Sequence, residues 1–260
     1  MQSGLAPHVS RMSGIIRTVD LETTGSAPPA HGVCEIGWQD LCQDADDVWQ
    51  IDGTGGSFLV DPERPIPVVT QAVHHIIDAD VAGAPRWVDA APDVLQRDGG
   101  FVALVAHRAS FEQKFCTPAL TRGADWICTW KCALRLWPDA PGFSNQMLRY
   151  WRMPEGLVRE RGLPVHRAFP DAYVTAHHVR DMLAMVSAEQ LIEWTRLPGL
   201  LPRMQYGEHR GMSFDDLSTE VLRSLRGDRN EDIRYTAGVE LERRGEGEPV
   251  KPQTWQGNLF

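Results

Sequence analysis

Apolar and polar stretches alternate along the chain, and their lengths and periods separate strands from helices. Short apolar runs of strand length predict five strands, near residues 15–25, 33–41, 57–60, 101–107 and 126–128. Apolar residues at three- or four-residue steps predict helices near residues 69–77, 86–96, 129–137, 144–151 and 170–186. Three strands in succession favour antiparallel pairing, whereas the continuous apolar run FVALVAH is typical of a central strand covered on both faces. The pattern therefore predicts an α/β protein with a mixed five-stranded sheet flanked by helices.

The same pattern predicts where the chain divides. Residues 1–13 carry Gly, Pro and Ser without periodicity and are expected to be a flexible leader before a main domain of residues 14–197. The segment PGLLP at 198–202 is a predicted hinge into a small α-rich C-terminal domain of residues 203–244. Residues 245–260 are rich in Gly, Glu and Pro and are expected to be a flexible tail.

Composition narrows the class of function. The chain has 26 Lys and Arg residues and 35 Asp and Glu residues, which gives a net charge of −9. This charge argues against binding of polyanions through a broad basic surface, but it allows a local nucleic-acid groove beside metal ions. The five cysteines show no paired metal-ligand spacing, and Cys128 and Cys132, four residues apart on a predicted helix, are expected to be reduced core thiols. Without an apolar run long enough for a bilayer or a secretory signal, the expected location is cytoplasmic, with no membrane partner.

The first predicted strand ends in two carboxylates that are candidates for chemistry. Asp20 and Glu22 are two residues apart, so in a strand their side chains point to the same face. Two adjacent anions repel each other, and either one takes up a proton or a cation bridges them. The pair is therefore a candidate divalent-metal site, and the alternative is that the carboxylates cap the following turn.

Two later segments complete a set of acids and a histidine. AHRASFE at 106–112 places Glu112 one turn into a helix that leaves the central strand, and HRAFPDAY places His166 five residues ahead of Asp171. Taken alone, His166 is more often a surface histidine, and Asp171 an acid favoured by a helix N-terminus. The order of the three segments outweighs those readings.

In that order, VDLETTG, AHRASFE and HRAFPDAY resemble the three motifs of the DEDDh 3′–5′ exonucleases. Further segments, VHHI, WICT, RLWP and FSN, resemble the exodeoxyribonuclease X group within that family. The resemblance covers roughly residues 14–186 and implies a ribonuclease H-like fold. It also implies that the protein hydrolyses phosphodiester bonds with two Mg²⁺ or Mn²⁺ ions. The implied substrate is DNA with single-stranded or frayed 3′ ends, and the implied setting is repair or proofreading.

The resemblance also implies a role for each residue. Asp20 would bridge both metals, Glu22 and Asp171 would complete the metal beside the attacking water, and Glu112 would face the second metal. His166 would be the general base, since a histidine titrates near neutral pH. Thr23 and His74 would contact the terminal nucleotide, although Thr23 is equally a turn residue and His74 a helix-packing one.

The chain departs from the family at two positions. The family has Asp where this chain has Glu112, which reaches about 1.5 Å further, and well-organised sites tolerate errors of only about 0.5 Å. An active enzyme is the hypothesis, with a weakened or inactive nucleic-acid adaptor as the alternative. Arg108 stands where the family usually has Asn; it would contact a substrate phosphate or form a structural ion pair.

The last five residues, QGNLF, carry a separate hypothesis. Gln256, Leu259 and Phe260 resemble the Q-x-x-L-F end of bacterial sliding-clamp binding peptides, although Gly257 stands where an apolar residue is usual. A tethered peptide of this kind would raise the effective concentration of a nuclease at the clamp. Other expectations stay open: an exoribonuclease of the same superfamily, and a homodimer, which is frequent among related exonucleases.

Overall fold

The computed structural model describes residues 14–247, and its centre is a five-stranded sheet. The strands are, in chain order, β1 Ile15–Thr23, β2 Val33–Gln43, β3 Trp49–Leu59, β4 Ala103–Ala106 and β5 Trp126–Cys128. They lie in the order β3-β2-β1-β4-β5. The first three pair antiparallel, and β4 and β5 run parallel to β1, so the predicted mixed sheet is confirmed.

The third strand is longer than predicted. The sequence predicts a strand only near 57–60, but the preceding segment DGTGG at 52–56 also lies inside β3. Gly56 pairs with Trp38 and Gly55 with Gln39 in the antiparallel ladder with β2. Two consecutive glycines weaken a strand signal in sequence, whereas in the sheet pairing with β2 keeps the extended conformation.

Ten helices cover the sheet within the described residues. Their bounds are α1 Val68–His74, α2 Trp87–Leu95, α3 Glu112–Phe115, α4 Pro118–Thr121, α5 Thr129–Leu136, α6 Asn145–Arg152, α7 Ala168–Leu183, α8 Ala188–Arg196, α9 Thr219–Leu225 and α10 Glu231–Arg243. Short 3₁₀ turns occur at Arg159–Gly162 and Phe214–Asp216. Side chains cap the start of α6, α8, α9 and α10, where Ser144, Ser187, Ser218 and Asn230 accept backbone N–H groups.

The longest helix, α7, fixes the sheet and the site together. Its residues Ala176, Val179 and Met182 are fully buried in a cluster with Ile16 of β1 and other sheet residues. The buried Thr18 hydroxyl lies 2.9 Å from the Ala172 carbonyl oxygen and ties the helix to β1. A strand and a helix that both carry acids are therefore held side by side by apolar packing and a hydrogen bond.

The C-terminal residues pack on the opposite face of the sheet. Phe214, Leu222 and Ile233 belong to the same buried cluster as Leu104 of β4 and Val94 of α2. The predicted hinge is held as well: the Gly199 N–H donates to Asp232 at 2.6 Å, and the Leu201 N–H donates to the Thr236 hydroxyl at 2.9 Å. The division into domains at these positions stays a prediction.

Two predictions concern residues beyond the described range. The leader at 1–13 and the clamp-binding end at Gln256, Leu259 and Phe260 lie outside the described residues. Among residues 14–247, no helix has the length and apolar character needed to cross a membrane.

Candidate active site

Three of the predicted acids come together at the end of β1. Asp20 and Glu22 lie on β1, and Asp171 lies in the first turn of α7. One carboxylate oxygen from each lies within 4.8 Å of the others. They line a cavity of about 300 Å³ together with Glu112 and His166. Oxygen atoms at this spacing form the kind of donor set that hard divalent cations prefer.

A glycine allows α7 to approach the sheet closely enough to bring Asp171 to this position. Gly37 of β2 pairs with Asp20 across the antiparallel ladder. A Cβ atom on Gly37 would lie only 2.2 Å from the backbone carbon of Ala168 and the backbone nitrogen of Phe169. The first turn of α7 therefore rests on the bare backbone of β2, three residues before Asp171.

Burial and mutual repulsion make the ionised forms of these carboxyl groups unfavourable in the absence of a cation. Burial raises the pKa of Asp20 well above its usual range, and the charges of Asp171 and Glu22 raise it further. Burial, followed by the charge of Asp171, raises the pKa of Glu22 to about 8. A divalent cation among these oxygens would offset the repulsion between the carboxylates, so the residues present fit such an ion.

Glu112 faces the same cavity from α3 but stands apart from the other three acids. It is not part of the group whose oxygens lie within 4.8 Å of one another. The side chain is 4% exposed, and among the described residues its Oε2 atom has no hydrogen-bond partner. Burial raises its pKa to about 8. A buried oxygen without a partner beside an acidic cluster fits a position that faces a second cation.

His166 is held at the mouth of the site by its own backbone. Its φ angle of 58° places it in the left-handed region, which is uncommon for residues other than glycine. Its N–H donates to Asp171 Oδ2 at 2.7 Å, so the turn that presents the imidazole is anchored to one of the acids. The side chain lines the cavity.

The three predicted substrate contacts differ in position. Thr23 lines the cavity and its hydroxyl donates to the Gly25 carbonyl at 2.8 Å, so it also holds the turn after β1. His74 is buried, lines the cavity, and accepts the Ile76 N–H at Nδ1. Arg108 is exposed and is not among the described residues that line the cavity.

The cation of Arg108 contacts an aromatic ring instead of an acid. Its guanidinium carbon lies 4.3 Å from the centre of the Trp130 ring, and within the described residues no carboxylate lies at ion-pair distance from it. The structural ion pair weighed from sequence is therefore absent there, and the role in substrate binding stays a prediction.

Sequence reasoning missed two polar residues that lie beside the acids. Glu35 of β2 lies opposite Glu22 in the ladder and forms an ion pair with Arg167 at 2.8 Å. Gln146 of α6 donates its Nε2–H to Asp171 Oδ1 at 2.8 Å. Glu35 could have been identified from the pairing of β1 with β2, which sets it opposite Glu22. Gln146 follows directly on the FSN segment, which was the available signal for that region.

The fold and the site together define a ribonuclease H-like nuclease, in which acids from the central strand, a neighbouring helix and α7 surround one cavity. The sequence model of the family described as Exonuclease matches residues 18–178. The chain belongs to the DEDDh exonuclease family.

Individual relatives support this membership. Exodeoxyribonuclease 10 of Escherichia coli strain K12 is 34% identical over 209 residues, which cover 78% of this chain and 86% of that protein. The protein of the same name from Escherichia coli O6:H1 matches equally well. The chain is thus similar to exodeoxyribonucleases over most of its length and is a nuclease of the hydrolase class.

Solved structures give the same result for the fold. The chain resembles exonuclease X in complex with 5′ overhanging duplex DNA with a TM-score of 0.57 and 32% identity, covering 69% of this chain and 99% of that chain. It also resembles Escherichia coli exonuclease I in complex with a dA16 oligonucleotide, with a TM-score of 0.51 and 12% identity, covering 70% of this chain and 43% of that chain. The second likeness shows the fold alone.

Proposed function

We propose that this chain is a metal-dependent 3′–5′ exonuclease that releases nucleotides from the 3′ ends of DNA. The observation that carries the proposal is the set of Asp20, Glu22 and Asp171 oxygens within 4.8 Å of one another, in one cavity with Glu112 and His166. These are the residue types that phosphodiester hydrolysis needs: oxygen ligands for cations and a base for water.

Asp20, Glu22 and Asp171 would hold divalent cations, with Glu112 facing a second one, and Mg²⁺ is the expected ion because all the donors are oxygens. Bound there, two such ions would lower the pKa of a water molecule and stabilise the charge that develops on the leaving oxygen. The high pKa values of Glu22 and Glu112 mean that both carboxyls release a proton when they become ligands.

His166 would accept the proton of the attacking water. The water oxygen would form a bond to phosphorus, the bond from phosphorus to the 3′ oxygen would break, and that oxygen would take up a proton from solvent. The products are a 5′-nucleotide and a shortened strand with a new 3′ hydroxyl. The hydrogen bond from the His166 N–H to Asp171 keeps the base next to a metal ligand. Thr23 and His74 line the same cavity, which supports the expectation that they contact the terminal nucleotide.

The preference for DNA rests on relatives. Exodeoxyribonuclease 10 is 34% identical, and the similar exonuclease X structure contains duplex DNA. Single-stranded or frayed ends are the proposed substrates, and repair or proofreading the proposed setting. The cytoplasmic location, the clamp contact and the homodimer stay predictions from sequence.

A panel of end-labelled and end-blocked oligonucleotides tests direction and sugar preference together. With Mg²⁺, DNA blocked at its 5′ end should be degraded as fast as unblocked DNA, and DNA blocked at its 3′ end should resist. The matching RNA should be degraded more slowly. Faster loss of RNA would favour the exoribonuclease, and binding without degradation in Mg²⁺ or Mn²⁺ would favour the adaptor suggested by Glu112.

A further inference from the structure

A buried arginine beside the site has only neutral hydrogen-bond partners. Arg149 of α6 is 3% exposed. Its guanidinium donates to the side-chain oxygen of Gln146 at 3.2 Å and to the backbone carbonyls of Gly162 at 2.6 Å and Arg159 at 2.8 Å. Within residues 14–247 no carboxylate lies at ion-pair distance from it. A buried cation without an anion is costly, so its place in the fold calls for an explanation.

The arginine determines which way the Gln146 amide points. A guanidinium can only donate hydrogen bonds, so the Gln146 oxygen must face Arg149 and the amide NH₂ must face away from it. That NH₂ donates to Asp171 Oδ1 at 2.8 Å, on the side of the carboxylate opposite the His166 N–H. Asn145 Nδ2 also donates to this Oδ1 atom, from the longer distance of 3.5 Å. Asp171 is thus held at both oxygens, and the shortest side-chain contact at Oδ1 depends on Arg149.

The same guanidinium also fixes the approach to His166. The carbonyls of Arg159 and Gly162 belong to the 3₁₀ turn that leads to the His166 segment. A Cβ atom on Gly162 would lie 2.9 Å from both the Arg149 Nη1 atom and the Val174 Cγ2 atom, so a larger residue there would force these side chains to shift. One side chain therefore connects α6, the turn before His166 and, through Gln146, Asp171.

We infer that Arg149 and Gln146 are positioning residues, with Arg149 acting through Gln146 to aim the Asp171 carboxylate for metal binding. The inference rests on the proposed function, since it assigns these residues to the same metal site. Hydrogen-bonding partners of metal ligands typically change metal affinity or activity by about 10- to 100-fold when they are removed.

Calorimetric titration of the full chain with Mn²⁺ tests this without an activity measurement. Gln146→Met, which cannot donate to Asp171, should bind Mn²⁺ about 10- to 100-fold more weakly than the wild type. Arg149→Met should show at least as large a loss, and the double variant should bind Mn²⁺ no more weakly than Arg149→Met alone, because the contribution of Gln146 depends on Arg149.

A matched control exists one turn further along the helix. Arg152→Met removes an arginine of α6 that contacts Asp181 at 3.3 Å and lies over the Trp137 ring at 4.0 Å, away from the acids. It should leave Mn²⁺ affinity unchanged. Melting temperatures without metal report on folding, and Gln146→Met keeps the test decisive if Arg149→Met does not fold, because Gln146 is only partly buried.

Two results would overturn the inference. Wild-type affinity in Gln146→Met would show that the amide does not aim Asp171. Losses that multiply in the double variant would show that Arg149 acts independently of Gln146. A wild-type chain that binds no Mn²⁺ would instead overturn the proposed function itself, so the two failures are distinguishable.

Discussion

Replacing Gly37 by alanine should separate catalysis from stability. The added Cβ atom would lie 2.2 Å from backbone atoms of Ala168 and Phe169, whereas ordinary van der Waals contact begins at 3.4 Å. Because these are backbone atoms, a rotamer change cannot relieve the overlap, and the start of α7 has to retreat by about 1.2 Å to reach that distance. Asp171 moves with the helix, away from Asp20 and Glu22.

The expected effects differ in size. Overpacking of this kind costs about 1–3 kcal/mol, which most domains survive. A shift of about 1 Å in a catalytic group can cost about 100-fold in rate. Gly37→Ala should therefore remain folded at 25 °C while its turnover on a single-stranded oligonucleotide falls by about 100-fold and its Mn²⁺ affinity falls as well.

Gly56→Ala is the matched control in the same sheet. A Cβ atom on Gly56 would meet only the Trp38 ring, at the ordinary distance of 3.6 Å. Turnover should stay within about twofold of the wild type, because the α7 contact is untouched. If Gly37→Ala kept full turnover and metal affinity, the close approach of α7 would not be what positions Asp171, and the reasoning would be refuted.

Three further predictions concern buried charges. Glu112→Asp shortens the side chain by about 1.5 Å. If Glu112 is the adapted metal ligand, turnover in a rapid-quench assay should fall by about 100-fold. Higher turnover would show that the native site is poorly arranged. Without metal, the free energy of unfolding should fall as pH rises from about 5 to about 8. The pKa values of about 8 for Glu22 and Glu112 in the folded protein exceed those of carboxyls in an unfolded chain. In this pH range the folded protein therefore holds protons that the unfolded chain has released, so a rising pH favours unfolding. Millimolar Mg²⁺ should reverse this trend in urea titrations, and a flat pH profile would contradict it. Asp40→Asn should cost about 3–5 kcal/mol in the same titrations because it strands the buried Arg17 cation, 2.6 Å away, whereas Asp89→Asn, in an exposed pair, should cost less than about 1 kcal/mol.

Much of the architecture could be predicted from the sequence because its signals are local. The buried run at 101–107 and the helical spacing at 170–186 correspond to β4 and α7, and the mixed sheet followed from their order. β3 was predicted too short because Gly55 and Gly56 have weak strand propensity and depend on pairing with β2. Tertiary pairing of this kind does not leave a local signal in the sequence.

The candidate site was predictable to the extent that its residues lie in recognisable motifs. Asp20, Glu22 and Asp171 meet as their segments implied, but the supporting residues depend on geometry that no motif records. Glu35 is placed by strand register, and Arg149 reaches Asp171 through the amide of Gln146. The sequence shows that Glu112 is longer than Asp, but only the structure shows that its Oε2 atom has no hydrogen-bond partner among the described residues.

The most direct test of the proposed chemistry is digestion of a 5′-labelled single-stranded DNA oligonucleotide by the full chain, with Mg²⁺ or with EDTA, beside the Asp20→Ala variant. We predict a ladder that shortens from the 3′ end with Mg²⁺ and is absent both with EDTA and in the folded variant. A ladder that persists in Asp20→Ala or in EDTA, or no ladder from wild-type protein that binds the oligonucleotide, would contradict the assignment of these acids to metal-dependent hydrolysis.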